Sequence, residues 1–201
     1  MTTTSTPTIP RTLLEGVNEL LSAIRVASVS SLLTADLNED AAKAKQAMDT
    51  ASIQFQTRGW EFNTERNAIF DPAGDGTITL PSNTLKVRSA RNRVSGMRLV
   101  FRGGRLYNPH PDYRTFTIGE SAACDIVLGL PFEDLTSSAR LYVTGLAARS
   151  FCIPKLPDLS TFRFTEELLK TTLVAIEQED AEMVEDDLKT TSPHFAKMGR
   201  R

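Results

Sequence analysis

The sequence predicts an α+β protein: a four-helix bundle formed by N- and C-terminal helix hairpins, with a small antiparallel β domain inserted between them. Three observations predict it. Apolar residues recur at helical spacing up to about residue 58 and again after Pro131. Between those stretches the apolar period falls to two, and Gly, Pro and Asn punctuate the chain. The sole tryptophan, Trp60, sits where the period changes. The expected divisions are a loose arm over 1–11, the bundle over 12–58 and 131–188, the β domain over 59–130, and a tail over 189–201.

The first helix is expected over Thr12–Val26, with Leu13, Val17, Leu20 and Ile24 on one face and Leu14 and Leu21 broadening it. Ala27–Leu37 is too short for anything but an antiparallel return. Asn38 or Asp36 can cap a second helix from Glu39, with Glu39 and Asp40 favourable at its positive end. Ala44, Ala47, Met48, Ala51 and Phe55 form its stripe, small enough to admit a close neighbour. Gly59 supplies the left-handed stop, and Trp60 and Phe62 then alternate with Glu61 and Asn63 as a strand would.

Asp71–Gly76 reads as a turn, followed by Thr77–Leu80 with Ile78 and Leu80 on one face. Beyond Pro81-Ser82-Asn83, Leu85 and Val87 oppose Lys86 and Arg88. Arg98–Phe101, Gly103-Gly104 and Leu106-Tyr107 make a tight-hairpin pattern. Tyr113–Ile118 and Ala123–Leu128 add strands, for one sheet of about five or six. Leu130–Asp134 opens a third helix, Pro131 in its first turn, burying Leu135, Ala139, Tyr142, Val143 and Leu146, with Pro154 and Pro157 beyond its end. Thr165 caps a fourth, Phe164 stapling onto Leu169, and Leu169, Leu173, Ile176 and Met183 carry its stripe toward Asp187.

The 201 residues are 40% hydrophobic, enough for one sizeable core or two small ones. A net charge of −2 argues against a general nucleic-acid binder. Cys124 and Cys152 make no disulfide framework and read as reduced core thiols. The longest apolar runs fall well short of the ~18 residues a span needs, so no membrane association is expected. Met1–Pro10 is Thr- and Pro-rich, without the apolar stretch of a signal peptide.

Local charge is more informative. Lys86 to Arg105 contains Lys86, Arg88, Arg91, Arg93, Arg98, Arg102 and Arg105 and no acid. Glu177 to Asp187 contains Glu177, Glu179, Asp180, Glu182, Glu185, Asp186 and Asp187 and no base, and the tail turns basic again. Three readings are open. The two runs are solvated faces; or the acidic helix of one copy meets the basic sheet of the next, a head-to-tail contact that repeats around a ring; or the arginines meet DNA phosphate, a reading weakened by the shortage of aromatics interleaved with them. Under the second, Arg91, Arg93, Arg98, Arg102, Glu179, Glu182 and Asp186 are the candidate inter-subunit residues.

Catalytic signals are scarce. Gly103-Gly104 lacks the Gly-Lys-Ser/Thr of a phosphate loop. Asp71–Gly76 resembles a calcium loop only until Ala73 and Ser82 stand where ligands belong. His110 and His194 have no zinc spacing. Either cysteine could pair with His110 as a nucleophile, although a buried thiol is the simpler account. No Gly-x-Ser-x-Gly occurs, and no carboxylate pair is singled out for glycoside hydrolysis. The expectation is a protein without enzymatic activity, cofactor or metal.

Leu20-Leu21-Ser22-Ala23-Ile24, Val29-Ser30-Ser31-Leu32, Asp40-Ala41-Ala42-Lys43-Ala44 and Gln56-Thr57-Arg58-Gly59-Trp60-Glu61-Phe62-Asn63 follow one another in the first third of the chain. Ile78-Thr79-Leu80-Pro81-Ser82-Asn83, Arg102-Gly103-Gly104-Arg105-Leu106-Tyr107 and Pro131-Phe132-Glu133-Asp134-Leu135 with Ala139-Arg140 come later. In that order and spacing, over roughly Thr12 to Asp187, they resemble the tail tubular protein A family of short-tailed phages. The Thr-rich start and the basic Ser192–Arg201 tail depart from the pattern. The resemblance implies a virion tail protein assembled in the host cytoplasm: the adaptor of the head-to-tail connector, a ring of twelve copies beneath the portal protein that carries the tubular nozzle protein. Duplex DNA would pass through its lumen without sequence-specific contact. It also implies a helical bundle with an inserted β domain, and portal contact through the C-terminal segment, for which Phe195, Met198, Arg200 and Arg201 are the candidates. The competing expectations are a polysaccharide depolymerase and a free DNA-binding module.

Overall fold

Residues 9–33, 38–156 and 162–191 are described by the computed structural model of the chain, with side chains as far as Glu185. Asp36, Pro157, most of the N-terminal arm and the tail candidates Phe195, Met198, Arg200 and Arg201 lie outside the described residues, as does the side chain of Asp186. The fold is α+β, with four α-helices and small antiparallel sheets. The chain divides into two compact units: a helical one, up to Phe55 and from Pro131 onward, and a β unit, Gln56–Leu130.

In the helical unit, the Thr12 hydroxyl accepts the Glu15 N–H and starts α1 (Leu13–Ala23). The helix stops three residues short of the expected Val26. Arg25 turns left-handed (φ 61°), and the Arg25 and Val26 N–H groups donate to the Ser22 and Leu21 carbonyls, a helix end of Schellman type without glycine. Asn18 then clamps the returning chain, its amide bonding both the N–H and the carbonyl of Val29 at 2.8 and 2.9 Å. Asn38 caps α2 (Glu39–Thr57), its Oδ1 accepting the Ala41 N–H at 2.8 Å. Ala41, Ala44, Met48, Ala51 and Phe55 are its buried apolar positions, while Ala47 of the expected stripe is only half-buried. The alanines allow close approach: a Cβ on Gly16 of α1 would lie 2.5 Å from Met48 Cε.

Pro131 does not open the third helix. Phe132–Asp134 form a separate 3-10 turn, and α3 (Ser137–Cys152) starts where the Thr136 hydroxyl accepts the Ala139 N–H. Helix α3 is the centre of this unit. Besides Ala139 and Val143 it buries Thr144, Gly145, Ala147, Ala148, Phe151 and Cys152, too many faces for a one-sided stripe, while Tyr142 and Leu146 are only half-buried. Thr165 begins α4 (Glu166–Thr191), its hydroxyl accepting the Leu168 N–H. Phe164 and Leu169 both press on Gly145, leaving no room for a side chain there. Of the expected α4 stripe, Leu169 and Ile176 are buried, Leu173 half-buried and Met183 exposed. The two ends of the sequence are tied together in this unit: Glu133 accepts the Leu13 N–H at 2.8 Å, Lys155 pairs with Asp40, and the Phe55 ring packs tilted against Tyr142, 5.4 Å between centroids.

In the β unit, Gly59 takes φ 79°, but the chain does not leave as a strand at Trp60. Glu61–Asn63 make one 3-10 turn, and β1 (Thr64–Phe70) starts after it. Strands β2 (Thr84–Asn92) and β1 flank β5 (Ala122–Leu128) in a three-stranded antiparallel sheet of order β1-β5-β2. Strands β3 (Val100–Arg102) and β4 (Arg105–Tyr107) form a separate hairpin, turning on Gly103 and Gly104 at φ 56° and 78°, as a two-residue hairpin loop requires. The single sheet of five or six strands is thus two sheets. Thr77–Leu80 and Tyr113–Ile118 join only by isolated bridges, although Ile78 and Leu80 do enter the core. That core is Ile78, Leu80, Ala90, Leu99, Leu106, Ala122, Cys124 and Ile126.

Asp125 fixes both edges to the central strand. Its carboxylate accepts the Asn67 N–H, freed by the bulge in β1, and the Ser89 hydroxyl of β2, each at 2.8 Å. These bonds, the Asn67 N–H foremost, hold its pKa below the usual carboxylate value. A folded pKa below the unfolded one means stability that is present above the unfolded value of about 3.9 and lost as pH falls through the folded one. Asp125→Asn should therefore be less stable than wild type at pH 7 and lose less on acidification; urea midpoints at pH 7 and about pH 3 measure both. A Cβ on Gly59 would lie 2.6 Å from Arg88 Nη2 and 2.8 Å from Val127 Cγ2. Gly59→Val should cost about 2–4 kcal/mol, from left-handed strain plus overpacking, read from the same midpoints.

Candidate interaction surfaces

Two buried amides close the neck of the β unit. Gln56 is 2% exposed; its Oε1 accepts the Leu130 N–H at 2.7 Å and its Nε2 donates to the Leu130 carbonyl at 3.1 Å. Asn63, 3% exposed, accepts the Trp60 N–H through Oδ1 and donates through Nδ2 to the carbonyls of Gln56 and Leu128, at 3.1 and 2.8 Å. Trp60, 2% exposed beneath the Arg58 guanidinium, is held against this neck by its own backbone. Neither amide is picked out by periodicity, because polar residues that belong inside look like surface positions in a pattern of apolar spacing.

The neck fixes where the basic strands emerge. Strand β2 meets the segment leading into β3 at one bridge, Arg91 to Arg98, with the Leu99 N–H donating to the Ala90 carbonyl. Below it the strands diverge around an open trough of about 640 Å³, with Val87, Val100 and Phe101 in its lining and Lys86, Arg91 and Arg98 exposed at its rim. Arg88, on the same strand, is tethered to the Gly59 and Arg58 carbonyls. Arg91, Arg93, Arg98 and Arg102 are all exposed, and among the described residues none has a carboxylate within ion-pair distance. Arg102 instead lies over the Tyr107 ring and Arg105 over Phe116. Sequence reasoning missed these rings, since Phe116 stands eleven positions after Arg105 and returns through the Asn108–Thr115 and Thr77–Thr117 bridges.

The acidic helix is not uniform. Glu179 is engaged within its own unit, accepting the Ser138 hydroxyl at 2.6 Å and the Thr136 hydroxyl at 3.4 Å, which fastens α4 to the start of α3. Glu182 is exposed and faces no cation within ion-pair distance among the described residues. By sequence, the β unit holds ten basic against seven acidic side chains, and the remainder thirteen against eighteen.

The weaker chemical candidates take structural positions. Burial pushes both thiols up to about 11: Cys124 lies in the β core, and the Cys152 thiol points at the Leu20 carbonyl. His110 is exposed, its ring against Tyr113 and near Asp112. In the calcium-like loop, Asp75 Oδ1 accepts the Thr77 N–H and hydroxyl, and Asp71 accepts the Ser121 hydroxyl. Among the described residues no group of three His, Cys, Asp or Glu is arranged to hold a metal, and no helix is long and apolar enough to cross a membrane.

Asn63→Ala would take their Asn63 partner from the Leu128 carbonyl and the Trp60 N–H, while the Gln56 carbonyl keeps the Gly59 N–H at 2.9 Å. It should lower stability by about 2 kcal/mol or more, at ~1–3 kcal/mol per buried orphaned group, read as a drop in denaturant midpoint. An unchanged midpoint would remove the neck as a structural determinant.

No curated protein matches the chain. The family model described as tail tubular protein matches residues 14–192, nearly the whole chain. That span takes in both units, the neck and the basic hairpin alike. The chain belongs to the tail tubular protein family, a structural component of the phage tail.

Proposed function

We propose that this tail protein is the adaptor ring of a head-to-tail connector, joining portal to tubular nozzle around the channel through which duplex DNA leaves. The observation that carries the proposal is the separation of unpaired charge. Arg91 and Arg98 stand exposed along an open trough in one unit, and Glu182 stands exposed on the long helix of the other. Opposite charges on two different surfaces of one chain favour a heterologous contact between copies, and such a contact closes into a ring when the rotation allows. Arg93 and Asp186 belong to the same proposed contact, whereas Glu179 would have to release Ser138, and Arg102 would have to leave the Tyr107 ring, to join it.

In this account the four helices form one rigid bundle, centred on α3. The copies number twelve, assembled in the host cytoplasm, and the function lies in the interfaces rather than in catalysis. Phe195, Met198, Arg200 and Arg201 dock on the portal, and the tail orders as it does so. The nozzle protein binds the opposite side of the ring.

Electron micrographs of the protein mixed with portal rings test the assembly directly: added density of matching symmetry is expected. Arg98→Glu and Glu182→Lys should each weaken ring formation about tenfold, ~1.4 kcal/mol, and the charge-swapped pair should recover at least half of that loss. The wild-type contact should also weaken as salt rises. Two single variants that assemble like wild type would refute the complementary-charge contact.

A further inference from the structure

Two arginines of the β3–β4 hairpin and two aromatic rings, Tyr107 at its end and Phe116 beyond it, form one contiguous column. The Arg102 guanidinium carbon lies 4.3 Å from the centroid of Tyr107, and that of Arg105 lies 4.6 Å from the centroid of Phe116. The rings meet edge to face, 5.0 Å apart at 63°. The column is held by backbone on both sides. The Leu106 N–H donates to the Ile78 carbonyl, the Leu80 N–H to the Gly104 carbonyl, and the Asn108 N–H to the Thr115 carbonyl, which brings Phe116 into place.

This arrangement sets what the surface can bind. A guanidinium held over a ring keeps N–H donors for an acceptor and loses less freedom when one arrives. Arg102, Gly103 and Arg105 are exposed at the tip, and a Cβ on Gly103 or Gly104 would meet nothing within 4 Å. The ring faces that a base would stack on already carry arginine, which leaves donors on the surface and no platform for bases. Asp75 is the acid whose charge is felt at Arg105, and its Oδ1 is occupied by the Thr77 N–H and hydroxyl.

We propose that the column of Arg102, Tyr107, Phe116 and Arg105 is a contact for the phosphate backbone of double-stranded nucleic acid, independent of base sequence. It deepens the channel role above and rests on that reading for the presence of duplex, but the contact itself is measurable on the unassembled chain. The test is fluorescence anisotropy of a labelled duplex of about 20 base pairs with the full chain, across about 50 to 200 mM salt. Wild type should bind duplexes of unrelated sequence equally, with log K falling linearly in log salt. R102Q/R105Q should flatten that slope by about 1.8, at ~0.9 for each phosphate no longer neutralised. R102K/R105K should keep the slope yet bind several-fold more weakly, because lysine carries the charge without the flat fork. Thermal melts check folding, and the single variant R105Q, with half the slope change, serves should the pair fold poorly. An unchanged slope in the glutamine variants overturns the proposal. So does tighter binding of the matching single strand, or equal competition by polyglutamate, which would make the column a carboxylate site. Ring formation with portal is scored separately: failure to form a ring while duplex binding persists counts against the assembly reading alone.

Discussion

A chain that leaves one compact unit to build another must return, and its two crossing segments need their backbone polar groups satisfied where they are buried. Here two amide side chains do this. Gln56 mimics a strand partner for Leu130, and Asn63 bridges the Gln56 and Leu128 carbonyls while holding the Trp60 N–H. Only a carboxamide offers an acceptor and two donors at one position without charge, so neither an acid nor a hydrocarbon can take over these roles. The register of the β unit follows from this closure, because Thr64 begins pairing with Val127 directly beside it.

The helical unit solves a different problem. Helix α3 is surrounded, and a surrounded helix must be built from small residues where neighbours approach and from satisfied polar groups where they do not. Gly145 receives Phe164 and Leu169 together, and Thr144, fully buried, donates its hydroxyl to the Arg140 carbonyl one turn back. Sequence-distant residues complete the unit: Glu133 supplies the missing acceptor for the first N–H of α1, which no residue near α1 provides.

The two units differ in sign of charge as well as in architecture, and both belong to a chain of the tail tubular family. The arginines of the β unit sort by environment. Arg88 is consumed by backbone carbonyls, Arg102 and Arg105 lie on aromatic rings, and Arg91 and Arg98 stand at the trough rim. A run of like charge in sequence thus becomes surfaces of different chemistry. A guanidinium on a ring offers an oriented edge, whereas one at an open rim acts through its field.

The sequence by itself determined what local physics controls: the α+β class, the Asn38 and Thr165 caps, the Ala-rich stripe of α2, the Gly-Gly hairpin and the charge runs. Caps, apolar spacing and left-handed glycines act within one turn, so they are written where they act. Element limits were less legible, as Arg25 ended α1 without a glycine and Pro131 fed a separate turn. Only the tertiary structure decided that the strands split into two sheets, that Gln56 and Asn63 are buried, that Glu179 is engaged by Ser138, and that Phe116 lies under Arg105. Each of these joins residues far apart in the chain. Such pairings depend on which long-range loops close, and no local pattern of residues encodes that choice.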